Sequence, residues 1–439
     1  MCPEGNHSEM RRPPPSYRYV LSVPYVAALS SISGASVWGL HFTGFIWSSV
    51  LVVGVLMIVQ HRKQIPFPWK LWCPWFGYVL LSLTWGGIHW RWNLQDPAQM
   101  LCPLVVGMVA SYAIRTEIQL ERLMRGFMHC LMFVAAAFAF FWYGPGIPYQ
   151  AAGSGYSVRT GAMTAAFIGC LFVGRARRNP FRSPLGWMAC LAIAFLSGSR
   201  MATLAILILW LVTPLYRSLI SRILACALMC LAGSALFYSP IFQERFFPSA
   251  GRGSFNQVIQ GDYSSSGRFD VWPVVWQEAQ KHIVFGAGAG EVARFIPKAD
   301  LFNPEPTPLN DYLQVVFEYG VVGLLILIGT VLRQMHVLHK LIRTRDPAVV
   351  WALAAAYLGF FAFLIFAWTE NALIYGVYFM NPLFAVTGAA IGLNVNKNLQ
   401  WNRRYVVRRP AFVVSNDPQK NVPWRPSTGR AARPFMANE

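Results

Sequence analysis

Several side chains in this sequence stand where only chemistry or a specific contact would keep them. Arg200 (FLSGSRMAT), Arg268 (SSSGRFDVW) and Arg91 (HWRWN) lie at or near the ends of apolar runs, and Asn310, Asp311, Glu318 and Glu370 lie in or beside others. A charge at the end of a run that enters a membrane is costly unless solvated or paired, so each raises the expectation of a polar site. Arginine presents a planar fork of donors that matches phosphate oxygens two at a time. Arg200 and Arg268, brought together, would clamp a pyrophosphate. The alternative is that Arg200 anchors a helix end while Arg268 pairs with Asp270 or Glu278.

The densest polar stretch is TPLNDYLQVVFEYGVVG, residues 307–323. Asn310 or Asp311 could cap the helix that begins there and satisfy its first N–H groups. Capping accounts for one residue and leaves Asp311, Gln314 and Glu318 spaced i, i+3 and i+7 on one helical face. A polar stripe entering an apolar run suggests a cavity wall, to which Glu370-Asn371, in a tight turn between two later runs, could contribute. The histidines say less: His61, His336 and His339 lie among basic residues, while His89 and His282 fall near the candidate arginines and could titrate usefully.

These residues need apolar elements to hold them. The 439-residue chain is 55% hydrophobic with 17 Trp and 31 Phe, outside the range of soluble domains. Twelve runs are long enough to span a hydrocarbon core: 19–37, 41–60, 70–88, 98–114, 124–143, 159–174, 184–198, 201–216, 222–239, 312–332, 348–367 and 371–393. The expected fold is an all-α polytopic membrane protein of about 12 transmembrane helices. Helices one to nine occupy 1–239, a long periplasmic loop 240–310, helices ten to twelve 311–393, and a basic cytoplasmic tail 394–439.

With the N-terminus inside, 28 of the 37 Lys and Arg fall on the cytoplasmic side, as the positive-inside rule requires. The clusters Arg175, Arg177, Arg178 and Arg182, and Arg343 and Arg345, fix that orientation. A nucleic-acid partner is excluded despite the net charge of +19, because charges separated by apolar spans form no continuous basic face. The polar, Pro-rich start ahead of a full-length run gives no sign of a cleavable signal peptide. The eight cysteines avoid the long loop and show neither a disulfide framework nor metal-ligand spacing.

A loop of about 70 residues among short ones is usually functional. Within it, PVVWQEAQKHIVF (273–285) reads as a short amphipathic helix. GAGAGE (286–291) lacks the Lys-Ser/Thr ending of a phosphate loop and reads as a tight turn of the chain. The tail from 394 is basic and short of core-forming residues, so it reads as disordered and suited to anionic headgroups.

The order of these parts, SGSRMA (197–202) opening a run, GRFDVW (267–272) leading a loop helix, GAGAGE, then NDYLQVVFEYGVVG (310–323), resembles the O-antigen ligase and O-antigen polymerase superfamily. Its members are membrane glycosyltransferases that act on undecaprenyl-diphosphate-linked glycans outside the inner membrane. Ligases of that family carry a His followed by Asn, Ser or Gln, nine residues, then Gly-x-x-Gly. Here Asn310, residues 311–319 and Gly320-Val321-Val322-Gly323 keep the spacing, and Leu309 stands in the place of the His. The resemblance covers about 190 to 393.

It implies transfer of a glycan from a lipid diphosphate to an acceptor hydroxyl with inversion, and with no metal or cofactor. Arg200 and Arg268 would hold the donor diphosphate, with Arg91, Asn310, Glu318 and Glu370 as further substrate-binding candidates. Asp311 is the candidate for the base that Leu309 cannot supply. Loss of the His favours a repeat-unit polymerase for O-antigen, capsule or exopolysaccharide, with a ligase acting on lipid A core as the alternative. The implied setting is the bacterial inner membrane, with both termini cytoplasmic and the site at the periplasmic face. Partners would be the donor, a glycan or lipid A core acceptor, membrane lipid, and a chain-length regulator or flippase. A transporter of lipid-linked sugars would show internal repeats and midplane polar groups, and neither is seen.

Overall fold

The computed structural model describes residues 14–30, 36–37, 40–61, 65–86, 95–143, 158–197, 199–214, 219–240, 268–299, 307–343, 346–373 and 378–407, with isolated positions between 241 and 267. Arg91, His89 and most of 240–267 lie outside them, so the expectations placed there have no structural counterpart. The chain divides into two compact units, Met1–Asn396 and Lys397–Glu439, and the helical bundle belongs to the first.

Among the described residues the fold is helical, with one short hairpin of β1 (Ser36–Val37) and β2 (Leu40–His41). The first helices are α1 (Pro15–Ser30), α2 (Phe42–His61), α3 (Cys73–Ser82), α4 (Gln95–Ala113), α5 (Glu117–Tyr143), α6 (Val158–Gly174), α7 (Arg182–Leu196), α8 (Arg200–Val212) and α9 (Leu219–Phe237). They are followed by α10 (Arg268–Gln280), α11 (Glu291–Lys298), α12 (Asp311–Arg343), α13 (Pro347–Phe366) and α14 (Met380–Val407). Each of the twelve apolar runs contains one helix.

Their lengths differ from expectation. By length and composition, Gly44–His61, Asp311–Arg343 and Pro347–Phe366 are long and apolar enough to cross a membrane. Others are shorter: α3 has 10 residues and α8 has 13. At 1.5 Å per residue α3 covers about 15 Å of a core of about 30 Å, and turns carry the chain on to Gly86.

A single cavity gathers Glu117 at the start of α5, Gly174 at the end of α6, Pro214 just past α8, Arg343 at the end of α12 and Pro347 at the start of α13. α5 and α13 therefore run opposite to α6, α8 and α12. Arg177, Arg178 and Arg343 share this end, as their charge leads one to expect. Arg200, Asp311 and the C-terminus of α13 lie at the other.

The long helix α12 is broken at Gly320, which has φ 66° and ψ −174°. That backbone is open to glycine and strained for other residues. The break would leave backbone groups unpaired, and the chain that follows α10 supplies the partners. Val321 and Val322 donate their N–H to the carbonyls of Ile283 and Val284 at 2.8 and 3.2 Å, and Ala287 and Gly288 donate to Phe317 and Glu318, both at 2.8 Å. The glycines of GAGAGE make this docking possible. Gly286, Gly288 and Gly290 all have positive φ, and a Cβ on Gly288 would strike the backbone of Gly86.

The loop helix is displaced from its expected position and has a companion. It runs over Arg268–Gln280, not 273–285, because residues 281–285 turn and then pair with the break in α12. Val271, Val275 and Ala279, at i, i+4 and i+8, are its buried face. They pack with Val292 and Ile296 of α11 and with Leu313, Val316 and Phe317 of α12. Full burial of a side chain such as Val275 or Ile296 contributes roughly 1.5–3 kcal/mol.

Replacing Gly320 by Ala should therefore be costly, since its Cβ would overlap the Val284 carbonyl. That backbone region alone costs a non-glycine residue about 1–3 kcal/mol. Gly320→Ala is expected to lower the melting temperature of the detergent-solubilised protein clearly, whereas Gly329→Ala, with open space around the added carbon, leaves it unchanged.

Candidate functional site at the start of helix 12

All the N–H groups of the first turn of α12 are satisfied, two by the end of α13 and two by Asn310. Those of Asp311 and Tyr312 reach the Ala367 carbonyl at the end of α13, at 2.9 and 3.4 Å. Leu313 N–H donates to Asn310 Oδ1 at 3.0 Å and Gln314 N–H to the Asn310 carbonyl at 2.9 Å. Asn310 is thus the cap, the plainer of its two sequence readings. Leu309 before it is the one non-glycine among the described residues with positive φ, 50°, and its side chain is buried.

The turn after α13 is tied back to this helix start. Asp311 Oδ2 accepts the Leu373 N–H at 3.0 Å, and Asn371 Nδ2 donates to Thr307 Oγ1 at 2.5 Å. Asp311 is 1% exposed, and its other oxygen, Oδ1, has no hydrogen-bond partner. Glu370 neighbours it. The Arg268 guanidinium, at the start of α10, meets Glu370 Oε1 at 3.5 Å. One turn along α10, on the same side, Trp272 Nε1 donates to the Pro308 carbonyl at 2.7 Å. Three elements thus bring Arg268, Glu370 and Asp311 together, and the alternative pairing of Arg268 with Asp270 or Glu278 does not occur; Glu278 pairs instead with Lys281 at 2.6 Å.

The Arg268–Glu370 contact is longer than the roughly 2.7–2.9 Å of a strong charge-assisted bond. Both side chains are largely buried, at 15% and 7% exposure. Removing either partner would leave a poorly solvated charge, which is strongly unfavourable. An additional anion at the guanidinium would meet a donor already held in place.

Arg200 is the first residue of α8, half-buried, behind Ser199, whose Oγ accepts the Ala202 N–H at 3.4 Å. The SGSR sequence is thus a helix cap followed at once by an arginine, at the same end of the bundle as Arg268.

Glu318 does not join this cluster. It lies two turns along α12 from Asp311, about 10 Å at 1.5 Å per residue. It is fully buried, accepts from Gln314 Nε2 at 3.4 Å and faces the N–H groups of Gly290 and Val292 at the start of α11. A carboxylate suits that end of a helix. The stripe Asp311, Gln314 and Glu318 is thus covered by the loop helices and the 370–373 turn, and does not line an open groove.

Asp96 beside Glu318, the Ala367 carbonyl and the Thr307–Asn371 bond escaped the sequence reading. Asp96, ahead of the run at 98–114, carried a signal; backbone partners carry none.

Comparison with known proteins bears on this end of the molecule. Residues 185–328 match the O-antigen ligase family model, Wzy_C. The matched segment runs from α7 past the break in α12, so it contains Arg200, Arg268, Asn310, Asp311 and Glu318, while Glu370 lies beyond it. It is less than half the chain. No curated protein matches the chain.

Loss of the Asn310 cap should cost about 1 kcal/mol of stability in Asn310→Ala, with most of it kept in Asn310→Asp. Thermal melts of the two variants beside the parent measure this.

Proposed function

We propose that this chain is a membrane glycosyltransferase that moves a glycan from undecaprenyl diphosphate to an acceptor hydroxyl, with inversion and without metal. The observation that carries this reading is Arg268 held on Glu370 beside the buried Asp311, at the edge of the O-antigen ligase segment. Family members transfer lipid-linked glycans, and this cluster supplies the groups such a transfer needs. The distribution of Lys and Arg supports a twelve-span inner-membrane layout with both termini cytoplasmic and this end of the bundle at the periplasmic face.

Arg268 and Arg200 hold the donor diphosphate. The acceptor oxygen attacks the anomeric carbon from the face opposite the diphosphate, and the bond from that carbon to the phosphate oxygen breaks. Undecaprenyl diphosphate leaves with the bonding electrons, and the arginines stabilise the charge it gains. The acceptor proton passes to Asp311 Oδ1, the oxygen that no protein donor occupies, while the Leu373 N–H fixes Oδ2. Because Asp311 is so deeply covered, the acceptor enters only when the 307–310 segment or the 370–373 turn yields.

Leu309 has no proton to exchange, and this favours a repeat-unit polymerase, whose acceptor is the end of another lipid-linked glycan. The description of the matched family favours the second reading, a ligase using lipid A core. Arg91 remains a candidate for donor binding from sequence alone.

Reconstituted with a lipid-diphosphate-linked repeat unit as sole substrate, the protein should give a product ladder. Arg268→Ala and Asp311→Asn should each reduce it by roughly a hundredfold or more, and Glu370→Gln by less. Products that need added lipid A core would select the ligase. Full ladders from folded Arg268→Ala and Asp311→Asn proteins would remove the transferase reading of this cluster.

A further inference from the structure

At the end of the bundle opposite this cluster is the cavity of about 950 Å³ that gathers the helix ends. Its size is that of a ligand site rather than a packing defect. Arg177, Arg178, His339 and Arg343 stand around it and Trp351 closes it from the α13 side. Trp351 is 4% exposed, and its indole N–H has no hydrogen-bond partner. The Arg175 guanidinium lies over the indole ring, 5.3 Å from its centroid.

The acidic groups nearby are already engaged. Glu121 pairs with Arg175 and Arg178, and Glu117 with Arg178 at 3.2 Å. Asp346 Oδ1 caps α13 by accepting the Ala348 N–H at 3.0 Å. Among the described residues no carboxylate lies within ion-pair distance of Arg343. The cavity therefore combines several guanidinium groups, among which Arg343 has no carboxylate partner among the described residues, with a buried N–H that lacks an acceptor. Its natural occupant is an oxyanion.

The setting indicates the source of that oxyanion. Pro347 begins a helix long and apolar enough to cross a membrane, so the cavity opens at headgroup depth. At the same end of the bundle, at the start of α7 and just ahead of it, Leu185 and Phe181 are 63% and 84% exposed, an apolar surface that acyl chains would cover. Free phosphate would use the donors and leave these side chains bare.

We propose that this cavity is a binding site for the phosphate of an anionic phospholipid from the adjacent leaflet. Arg177 and Arg343 hold the phosphate oxygens from the rim, and Trp351 Nε1–H donates from the floor. Basic pockets between membrane helices on the cytoplasmic side are suited to such headgroups. The site is independent of the transfer reaction at the other end.

The test uses delipidated full-length protein in neutral detergent. Phosphatidylglycerol, phosphatidylcholine and inorganic phosphate are each titrated, and melting temperature and bound lipid by native mass spectrometry are read together. Phosphatidylglycerol should stabilise saturably and be retained, while phosphatidylcholine and millimolar phosphate should do neither. Arg177→Ala combined with Arg343→Ala should weaken phosphatidylglycerol roughly tenfold or more. Trp351→Phe, which keeps an aromatic ring and removes the N–H, should weaken it less. Both arginines are exposed, so the double variant should fold; if it does not, Arg343→Glu alone carries the same expectation. Equal stabilisation by phosphatidylcholine, unchanged affinity in these variants, or saturation by inorganic phosphate alone would each overturn the proposal.

Discussion

Everything at the candidate site depends on how the broken backbone of α12 is satisfied. In an apolar surrounding each unpaired peptide group costs several kcal/mol, so non-helical backbone survives only where protein or water completes its hydrogen bonds. Here the four bonds between Ile283–Gly288 and Phe317–Val322 replace those lost at Gly320. The same bonds fasten the segment between α10 and α11 to the first half of α12, and burial of Val271, Val275, Val292 and Ile296 against that half sets the angle at which the two helices lie. Arg268 reaches Glu370 because α10 starts from this fixed position.

The second constraint is the exchange between the start of α12 and the end of α13. Each offers what the other lacks: free N–H groups on one side, the Ala367 carbonyl on the other. Asp311 then returns a bond to Leu373. The result is a corner whose backbone needs are met internally, with Asp311 Oδ1 among the buried side-chain atoms that lack a partner. In the proposed reaction that oxygen is where the acceptor proton goes. Glu318, on the same helical face, is used differently: it faces the N-terminus of α11 and so belongs to the support of the site.

Much of this was legible in the sequence, because apolar runs and capping residues are local signals. The twelve runs each hold a helix, Asn310 caps as an Asn before an apolar run should, and the glycines of GAGAGE turn the chain. What was illegible depends on partners distant in sequence. The 273–285 pattern placed its helix about five residues late, since nothing local reveals that 283–288 is reserved for α12. The Arg268–Glu370 pair joins residues 102 positions apart, whereas nearer acids offered plausible but wrong partners. The polar stripe was read as a cavity wall because sequence spacing gives a face and not what covers it.

The central claim, that lipid-linked glycan is handled at the Arg200 and Arg268 end of the bundle, is tested most directly by photo-crosslinking with an undecaprenyl-diphosphate-linked glycan analogue bearing a diazirine near the diphosphate. Labelled peptides should map to the start of α8, the start of α10 and the 307–311 and 367–373 segments, and excess natural donor should suppress them. Suppressible labelling confined to the opposite end, around Arg177, Arg343 and Trp351, would contradict the account.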